Sequence, residues 1–199
     1  MTTIRSFIAI ELSNHARTEL ASLQERLKDI VPAVSVRWGI PKNIHLTLHF
    51  LGDLSVDHLE TVSRTVCDVA TTIPSFSLSL RNLGCFPNTR RPRIVWVSVS
   101  GETEILVRLH RELGNQLQKR IGFKPEARPY SPHLTIGRVK NGIPQQRLRE
   151  LGQLLEEEIH RVGQLAVLPV DHIHFIHSDL KPDGPIYTSL AKAQLGQES

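Results

Sequence analysis

Two short segments each place a histidine and a threonine two residues apart, and these residue types can transfer protons and bind an anion. The first segment is His45-Leu46-Thr47-Leu48, and the second, His133-Leu134-Thr135-Ile136, begins 88 positions later. Imidazole titrates near neutral pH, so at one pH one such ring can accept a proton while a second donates one. A threonine hydroxyl can donate a hydrogen bond, and its β-branched side chain is stiff at χ1. Together the four polar side chains predict acid–base catalysis on an anionic substrate.

Both segments alternate apolar and polar residues with a period of two, which predicts β-strands. The residues expected to face the core in the first strand are Ile44, Leu46, Leu48 and Phe50. Those on its other face are His45, Thr47 and His49. In the second strand Leu134 and Ile136 face the core, opposite His133 and Thr135. Each histidine–threonine pair is therefore expected to project from a strand whose far side is anchored in apolar packing.

The surrounding pattern predicts an α+β fold. Apolar residues at helical spacing indicate helices near 16–30, 55–69, 103–117 and 144–159. Further strands are indicated near 5–12, 34–38, 76–80, 93–99, 162–177 and 186–190. The order strand-helix-strand-strand-helix-strand occurs about twice. This repetition predicts one domain over residues 1–199, built from two pseudo-symmetric lobes. Each lobe would be a mainly antiparallel sheet with outer helices, and the two would face one another across a central cleft. A disordered tail is expected from about residue 192.

Composition narrows the functional class. The chain is 40% hydrophobic and 22% charged, and no apolar run reaches the length of a membrane span. The N-terminus has no export-signal pattern, and Cys67 and Cys85 have neither disulfide nor metal spacing. We therefore expect a cytoplasmic monomer with no membrane association and no obligatory protein partner. The net charge of +4 favours an anionic partner such as RNA.

Several polar residues are open to two interpretations. His49 either lines the cleft with His45 or is a polar residue at the end of the strand. A cluster of loop arginines is either solvated or a rim that attracts RNA phosphates; its members are Arg90, Arg91 and Arg93. The run around Asp171, His172 and His174 resembles metal ligands. A metal site, however, needs three or four converging ligands, so no metal and no cofactor are expected.

Aromatic residues could stack on nucleobases. Tyr130, beside the second segment, is the best candidate, and Phe86 is another. For Trp38 and Phe123, packing in the core is the expected outcome.

Taken together, these residues resemble the 2H phosphoesterase superfamily, whose hallmark is two His-x-Thr-x motifs. Within it, the chain is similar to the RNA 2′,3′-cyclic phosphodiesterase (2′-5′ RNA ligase) family. One such motif has little specificity, but two about ninety residues apart in a chain of 199 are much more specific. The flanking segments that agree are Arg5 to Leu12, Trp38, Pro41-Lys42-Asn43, Phe50-Leu51-Gly52-Asp53, Arg91 to Trp96, and Tyr130 to Arg138. The match therefore covers essentially the whole chain.

The resemblance implies hydrolysis of a 2′,3′-cyclic phosphate at an RNA end to a 2′-phosphate, without metal or nucleotide. Attack by water and departure of the alkoxide are in line, so one histidine is needed on each side of phosphorus. By resemblance, His45 would be the general acid and His133 the general base, whereas the sequence itself is symmetric and leaves both assignments open. Thr47 and Thr135 would donate to the phosphate oxygens. Joining RNA ends through a 2′-5′ bond would follow from microscopic reversibility.

Arg138 follows the second motif and could also bind the phosphate. Strict alternation puts it on the face opposite His133, and a bulge at Gly137 would bring it round.

Three other functions remain compatible with the sequence. One is a non-catalytic protein that binds RNA ends. Another is a 2H phosphodiesterase for a small cyclic nucleotide or for a 2′-5′ linkage. The third is a metal-dependent nuclease that uses the histidine-rich segment from Asp171 to His177.

Overall fold

Nine strands form two antiparallel sheets in the computed structural model, which describes residues 2–32, 35–126, 128–182 and 184–196. The first sheet contains, in spatial order, β3 (His45–Ser55), β1 (Thr3–Glu11), β8 (His172–Lys181) and β9 (Gly184–Gln194). The second contains β2 (Val36–Trp38), β6 (His133–Val139), β5 (Ile94–Gly101), β4 (Phe76–Phe86) and β7 (Gln164–Val170). The predicted α+β fold of two sheets with helices is confirmed, and each sheet carries one of the two motif strands.

The helices of the described residues are α1 (Asn14–Ile30), α2 (Leu59–Ala70), α3 (Thr103–Ile121) and α4 (Gln145–Arg161), with short 3₁₀ turns at Pro41–Asn43 and Val56–His58. α2 and α3 pack against the first sheet, whereas α1 and α4 pack against the second. α1 therefore leaves the first sheet to cover the second, and α3 crosses in the opposite direction. Each lobe is built from both halves of the chain, so the lobes are interlocked.

The helix boundaries follow from local sequence signals. The Ser13 side chain caps α1 by accepting a hydrogen bond from the backbone N–H of Ala16 at 3.2 Å. α3 ends at Gly122, whose φ of 68° is the left-handed conformation that glycine adopts without a steric penalty. None of the helices within the described residues is long and apolar enough to cross a membrane.

Apolar packing occurs on both faces of the first sheet. Its helix-facing side belongs to the large core, which includes Ile8, Leu46 and Phe175. A second, small cluster lies on the opposite side, where Phe7, Ala9 and Ile176 are buried and Tyr187 packs against them. This second face also carries the motif residue His45, because His45 stacks on Phe7. The small cluster therefore supports the first motif from the side of the cleft.

Two predictions about the ends of elements need correction. The tail was expected to be disordered from about residue 192, but β9 continues to Gln194 and Leu195 is buried. Gly196 is bridged to Pro74. The described residues 192–196 are therefore ordered by strand pairing and burial. The strand predicted over 34–38 is observed as β2 from Val36, and Val34 lies outside the described residues.

Gln24 is a buried polar residue on the apolar side of α1. Its side-chain amide donates to the carbonyls of Gly39 and Ile136, both at 2.8 Å. Ile136 belongs to the second motif, so one helix side chain holds β6 and the segment after β2 together. A buried carbonyl that loses its partner is costly, which gives this glutamine a structural role.

We expect Gln24→Leu to lower the free energy of unfolding by about 1–3 kcal/mol, because the Gly39 carbonyl loses its amide donor and the buried Ile136 carbonyl keeps only the backbone N–H of Gly39. Urea denaturation followed by circular dichroism measures the change. Gln153→Leu on the exposed side of α4 is the matched control and should change stability by at most about 0.5 kcal/mol. Equal effects of the two substitutions would contradict this role for Gln24.

Candidate active site

The first motif lies at the start of β3. Leu46 and Leu48 are buried, whereas His45 and Thr47 are half-buried on the other face. β3 pairs with β1, so that His45 lies opposite Glu11 and Thr47 lies opposite Ala9. The predicted separation of the two side-chain sets therefore holds over these four residues.

A β-bulge ends the alternation at Leu48. His49 pairs with Ile8 and Thr47 with Ala9, so Leu48 is an extra residue between two successive pairs. His49 consequently turns to the helix side and is 5% exposed, while Phe50 turns to the cleft side and is 57% exposed. Both expectations for His49, cleft residue and polar strand end, are wrong, as is the placing of Phe50 in the core. The alternation of apolar and polar residues did not by itself reveal the extra residue in the strand.

The second motif has the same irregularity at the corresponding place. Thr135 pairs with Trp96 and Gly137 with Val95, which leaves Ile136 as the extra residue. Leu134, Ile136 and Gly137 are buried, and Arg138 is exposed. Glycine is required at 137 because a Cβ there would lie within 3 Å of Val36 and Trp38. A register shift thus occurs beside Gly137. Arg138 needs such a shift to lie on the same face of the strand as His133 and so to reach the cleft.

Arg138 is exposed on β6, and its charge affects a residue of the first sheet. Burial raises the pKa of the Tyr187 hydroxyl, and the positive charge of Arg138 partly opposes this effect. Tyr187 in turn packs edge-on against His45, with ring centroids 5.3 Å apart. The charge of the second-motif arginine therefore acts on an aromatic residue that contacts the first-motif histidine.

Both motif histidines make the same backbone hydrogen bond. Nδ1 of His45 lies 2.8 Å from the carbonyl of Asn43, and Nδ1 of His133 lies 2.8 Å from the carbonyl of Ser131. A carbonyl oxygen can only accept, so Nδ1 carries the hydrogen in each ring. In the neutral form, each Nε2 consequently has a free lone pair that can bind a proton.

Each histidine is packed by aromatic rings of its own sheet. Phe7 stacks on His45 with centroids 4.4 Å apart and an interplanar angle of 18°. Phe86 meets His133 edge-on at 5.1 Å, and Trp96 packs beside both. Gly84 leaves room for the Trp96 ring, since a Cβ there would clash with it. The role of Phe7 and Tyr187 was missed, because no local signal shows which strands become neighbours of β3.

Burial changes the proton affinity of His45. Desolvation lowers its pKa below the ordinary value of 6.5, and the hydrogen bond to Asn43 and the charge of Glu11 partly oppose this effect. The neutral ring is therefore favoured in the ligand-free protein. A negative charge placed beside His45 would shift its pKa back upwards.

Tyr130 connects the two motifs. Its hydroxyl donates to the carbonyl of Thr47 at 2.9 Å, although Tyr130 precedes the second motif and Thr47 belongs to the first. One face of its ring stacks on His110 at 4.0 Å and 12°, and burial raises the pKa of the hydroxyl well above its usual value. The strands β3 and β6 also contact one another directly. The structure thus brings the two motif strands together and assigns Tyr130 a positioning contact.

A column of stacked rings continues from Tyr130 into the core. His110 stacks on His49 at 4.1 Å, and His49 meets Phe123 edge-on at 5.4 Å. Nε2 of His49 donates to the carbonyl of His110 at 2.8 Å. The His49 ring also lies against Gly114 of α3, where a Cβ would come within 3.2 Å. The bulge at Leu48 therefore turns His49 towards α3, and the contacts of His49 with this helix hold the motif strand in place.

The remaining candidates have separate locations. Trp38 and Phe123 pack against the core as expected. Arg90, Arg91 and Arg93 are exposed in the loop between β4 and β5. Asp171 pairs with His172 at 2.8 Å, and His174 is 8% exposed. Within the described ranges, no group of three or more histidine, cysteine, aspartate or glutamate side chains is arranged to hold a metal ion.

Comparison with known proteins relates this geometry to a family. The model described as LigT like Phosphoesterase matches twice, over residues 10–96 and 97–187. A protein of Methanothermobacter thermautotrophicus named RNA 2′,3′-cyclic phosphodiesterase is 36% identical, over 94% of this chain and 96% of its own length. A protein of the same name from Thermotoga maritima is 31% identical, over 96% and 95%.

Solved structures agree with the fold. TT0787 of Thermus thermophilus is 27% identical and superposes with a TM-score of 0.78, covering 98% of this chain and all of that one. LigT of E. coli complexed with 3′-AMP is 23% identical, with a TM-score of 0.75 over 98% and 99% of the two chains.

The stacked histidines predict a specific loss of stability in acid. Burial and the neighbouring His49 lower the pKa of His110 to about 4, and burial also lowers that of His49. Between about pH 6.5 and 4 the unfolded chain binds more protons than the folded one, so stability falls as pH falls through this window. His110→Phe keeps a stacked ring without titrating. Between pH 7 and pH 5, we expect the free energy of unfolding to fall by about 1 kcal/mol less in this variant than in the unsubstituted protein. This figure allows for solvent screening of the half-buried ring.

Urea unfolding at pH 7 and pH 5 measures this difference. His160→Phe on the exposed side of α4 is the control and should leave the pH dependence unchanged. If the free energy of unfolding of His110→Phe depends on pH as strongly as that of the unsubstituted protein, protonation of His110 does not cause the loss of stability.

Proposed function

The chain belongs to the LigT-like phosphoesterase family, and from this premise we propose that it hydrolyses 2′,3′-cyclic phosphate ends of RNA, leaving a 2′-phosphate. His45 and His133 would transfer the two protons, without a metal ion or cofactor. The observation that carries this proposal is the matched hydrogen bonding of the two rings, since each Nδ1 is committed to a carbonyl two residues earlier. The curated relatives named RNA 2′,3′-cyclic phosphodiesterase support the choice of substrate.

In this mechanism water attacks phosphorus and the bond between phosphorus and O3′ breaks. Nε2 of His133 takes a proton from the water, and Nε2 of His45 gives a proton to O3′. The products are a 2′-phosphomonoester and a 3′-hydroxyl. Each positioned proton transfer contributes roughly 10²–10⁴-fold to the rate.

The electrostatics near His45 suit the acid role. Its pKa is low in the free protein because the ring is buried, and the Glu11 charge opposes that shift. An anionic phosphodiester bound beside the ring adds a further negative charge, which raises the pKa and stabilises the imidazolium. Substrate binding would therefore protonate the residue that must donate.

Thr47 and Thr135 would hold the non-bridging phosphate oxygens, each from the same strand face as its histidine. Arg138 would add a cation to the same oxygens, supported by the register shift at Ile136 and by the effect of its charge on the pKa of Tyr187. Charge on these oxygens grows towards the pentavalent stage, so fixed donors lower the barrier. Attack by the 5′-hydroxyl of another RNA in place of water would break the same bond between phosphorus and O3′ and would join the two RNAs through a 2′-5′ phosphodiester.

Removing either histidine tests the proposal. We expect His45→Ala and His133→Ala each to lower kcat for a short RNA ending in 2′,3′-cyclic phosphate by about 10²–10⁴-fold. Since the two rings act in one step, the double variant should lose far less than the product of the single losses. His160→Ala, exposed on α4, is the control and should retain full activity.

The assay is run in EDTA, and the position of the product phosphate is identified. Full activity in both single variants, or activity only with an added metal ion, would refute the mechanism. Binding of the cyclic end without any product would identify a non-catalytic RNA-end-binding protein instead.

The pH profile distinguishes the two roles. The kcat/KM profile reports the free enzyme and the kcat profile reports the complex. If His45 is the acid, both profiles are bell-shaped, and the alkaline limb follows His45 deprotonation. Because bound phosphate raises the pKa of His45, this limb should lie at higher pH for kcat than for kcat/KM. In His45→Ala the alkaline limb should be lost while the acidic limb remains; loss of the acidic limb instead would mean that His45 is the base.

A further inference from the structure

A cavity of about 280 Å³ reaches the first motif, and His45 itself contributes to its lining. One wall consists of polar residues from the end of β1, the first turn of α1 and the 3₁₀ turn before β3; they are Glu11, Arg17, Lys42 and Asn43. The apolar wall includes Ile176 and Ile186. The volume is close to the lower end of small-molecule sites and suits a group the size of one nucleotide unit.

The cavity wall and the motif histidine are held by the same residue. The Asn43 side-chain amide donates to the carbonyl of Pro185 at 3.0 Å, which ties the turn before β3 to the start of β9. The Asn43 carbonyl accepts the hydrogen bond from Nδ1 of His45. The cavity therefore has a fixed position relative to the ring that would face phosphorus.

The polar wall has an excess of positive charge. Arg17 and Glu11 form an ion pair at 3.5 Å, which uses the carboxylate. The Nε of Arg17 is nonetheless buried without a hydrogen-bond partner. Lys42 is exposed and takes part in none of the ion pairs found among the described residues. A bound anion would give Lys42 a partner and place a second acceptor beside Arg17, which already pairs with Glu11. Phosphate oxygens accept such hydrogen bonds well.

The apolar wall indicates what the anion is attached to. Ile176 is 2% exposed, so packing holds its side chain in place, whereas Ile186 is 54% exposed. Carbon atoms of a ribose would cover such a surface, whereas a fully hydrated inorganic ion would gain nothing from it. The pairing of a cationic wall with an apolar one therefore fits a sugar phosphate.

We propose that this cavity binds the 5′-phosphate of the terminal nucleotide, the phosphate that precedes the cyclic end in an RNA strand. The inference rests on the proposed function, because it takes the cyclic phosphate to lie at His45. Two consecutive phosphates of a strand are separated by a single ribose, so a cyclic end at His45 brings the preceding phosphate to the adjacent cavity. Lys42 and Arg17 would bind it, and the ribose would cover Ile186. The enzyme would then favour oligonucleotide ends over nucleoside 2′,3′-cyclic phosphates with a free 5′-hydroxyl.

The test uses two substrates that differ by one group, adenosine 2′,3′-cyclic phosphate and its 5′-phosphorylated form. For the unsubstituted protein, kcat/KM should be about tenfold higher with the 5′-phosphate, the size expected of a partly solvated charge-assisted contact. Lys42→Ala should reduce this ratio towards one, and Lys42→Arg should preserve it. The matched control is Lys119→Ala, an exposed lysine of α3, which should leave the ratio unchanged. The preference should also weaken as ionic strength rises.

The outcomes separate the two proposals. A short RNA ending in 2′,3′-cyclic phosphate is assayed in parallel, and if it is not hydrolysed, the proposed function fails. If the RNA is hydrolysed but the 5′-phosphorylated mononucleotide is not, only this inference is overturned. If both mononucleotides are hydrolysed at equal efficiency, or if Lys42→Ala keeps the preference, the cavity does not bind the 5′-phosphate and only this inference is overturned. Circular dichroism of the Lys42 variants establishes that the fold is intact, so that a lower ratio is attributable to the lost cation.

Discussion

A backbone carbonyl two residues before each motif histidine fixes which ring nitrogen carries the hydrogen. The two hydrogen bonds have the same length, 2.8 Å, and occur in different sheets. Because each Nδ1 is committed to donating, each Nε2 is left to exchange protons. The conformation of the turn at Pro41–Asn43 places the Asn43 carbonyl beside His45. The segment before β6 does the same with the Ser131 carbonyl for His133. The proposed proton transfers depend on this constraint more than on any other feature of the fold.

The two lobes are joined by contacts that cross between the sheets. α1 and α3 each cross to the other sheet, Gln24 binds the carbonyl at the second bulge, and Tyr130 binds the carbonyl of Thr47. Such connections oppose hinge motion, because separating the lobes would expose buried polar groups. They also show why Tyr130 is better described as a positioning residue. One face of its ring is already covered by His110, which makes that face inaccessible to a base.

The paired bulges explain several differences between expectation and structure. At the first, an extra Leu48 moves His49 into the core and Phe50 to the surface; at the second, an extra Ile136 precedes Arg138. Period-two patterns assume regular pairing, and one inserted residue exchanges the faces of everything that follows. Gly137 gave a usable signal, since glycine within a strand pattern often marks a bulge. His49 gave none, because a histidine suits either face of a strand.

The sequence by itself determined the α+β class, the four motif side chains and the family, because alternation and residue type are local properties and two copies of one motif are specific. Only the tertiary structure decided the neighbours of those side chains. Phe7 and Tyr187 beside His45, and the cavity shared by Lys42 and Ile186, join strands and turns far apart in the chain. Those contacts depend on which strands pair and in which register. Strand pairing is a non-local property that the burial of the whole core selects, so no short stretch of sequence encodes it.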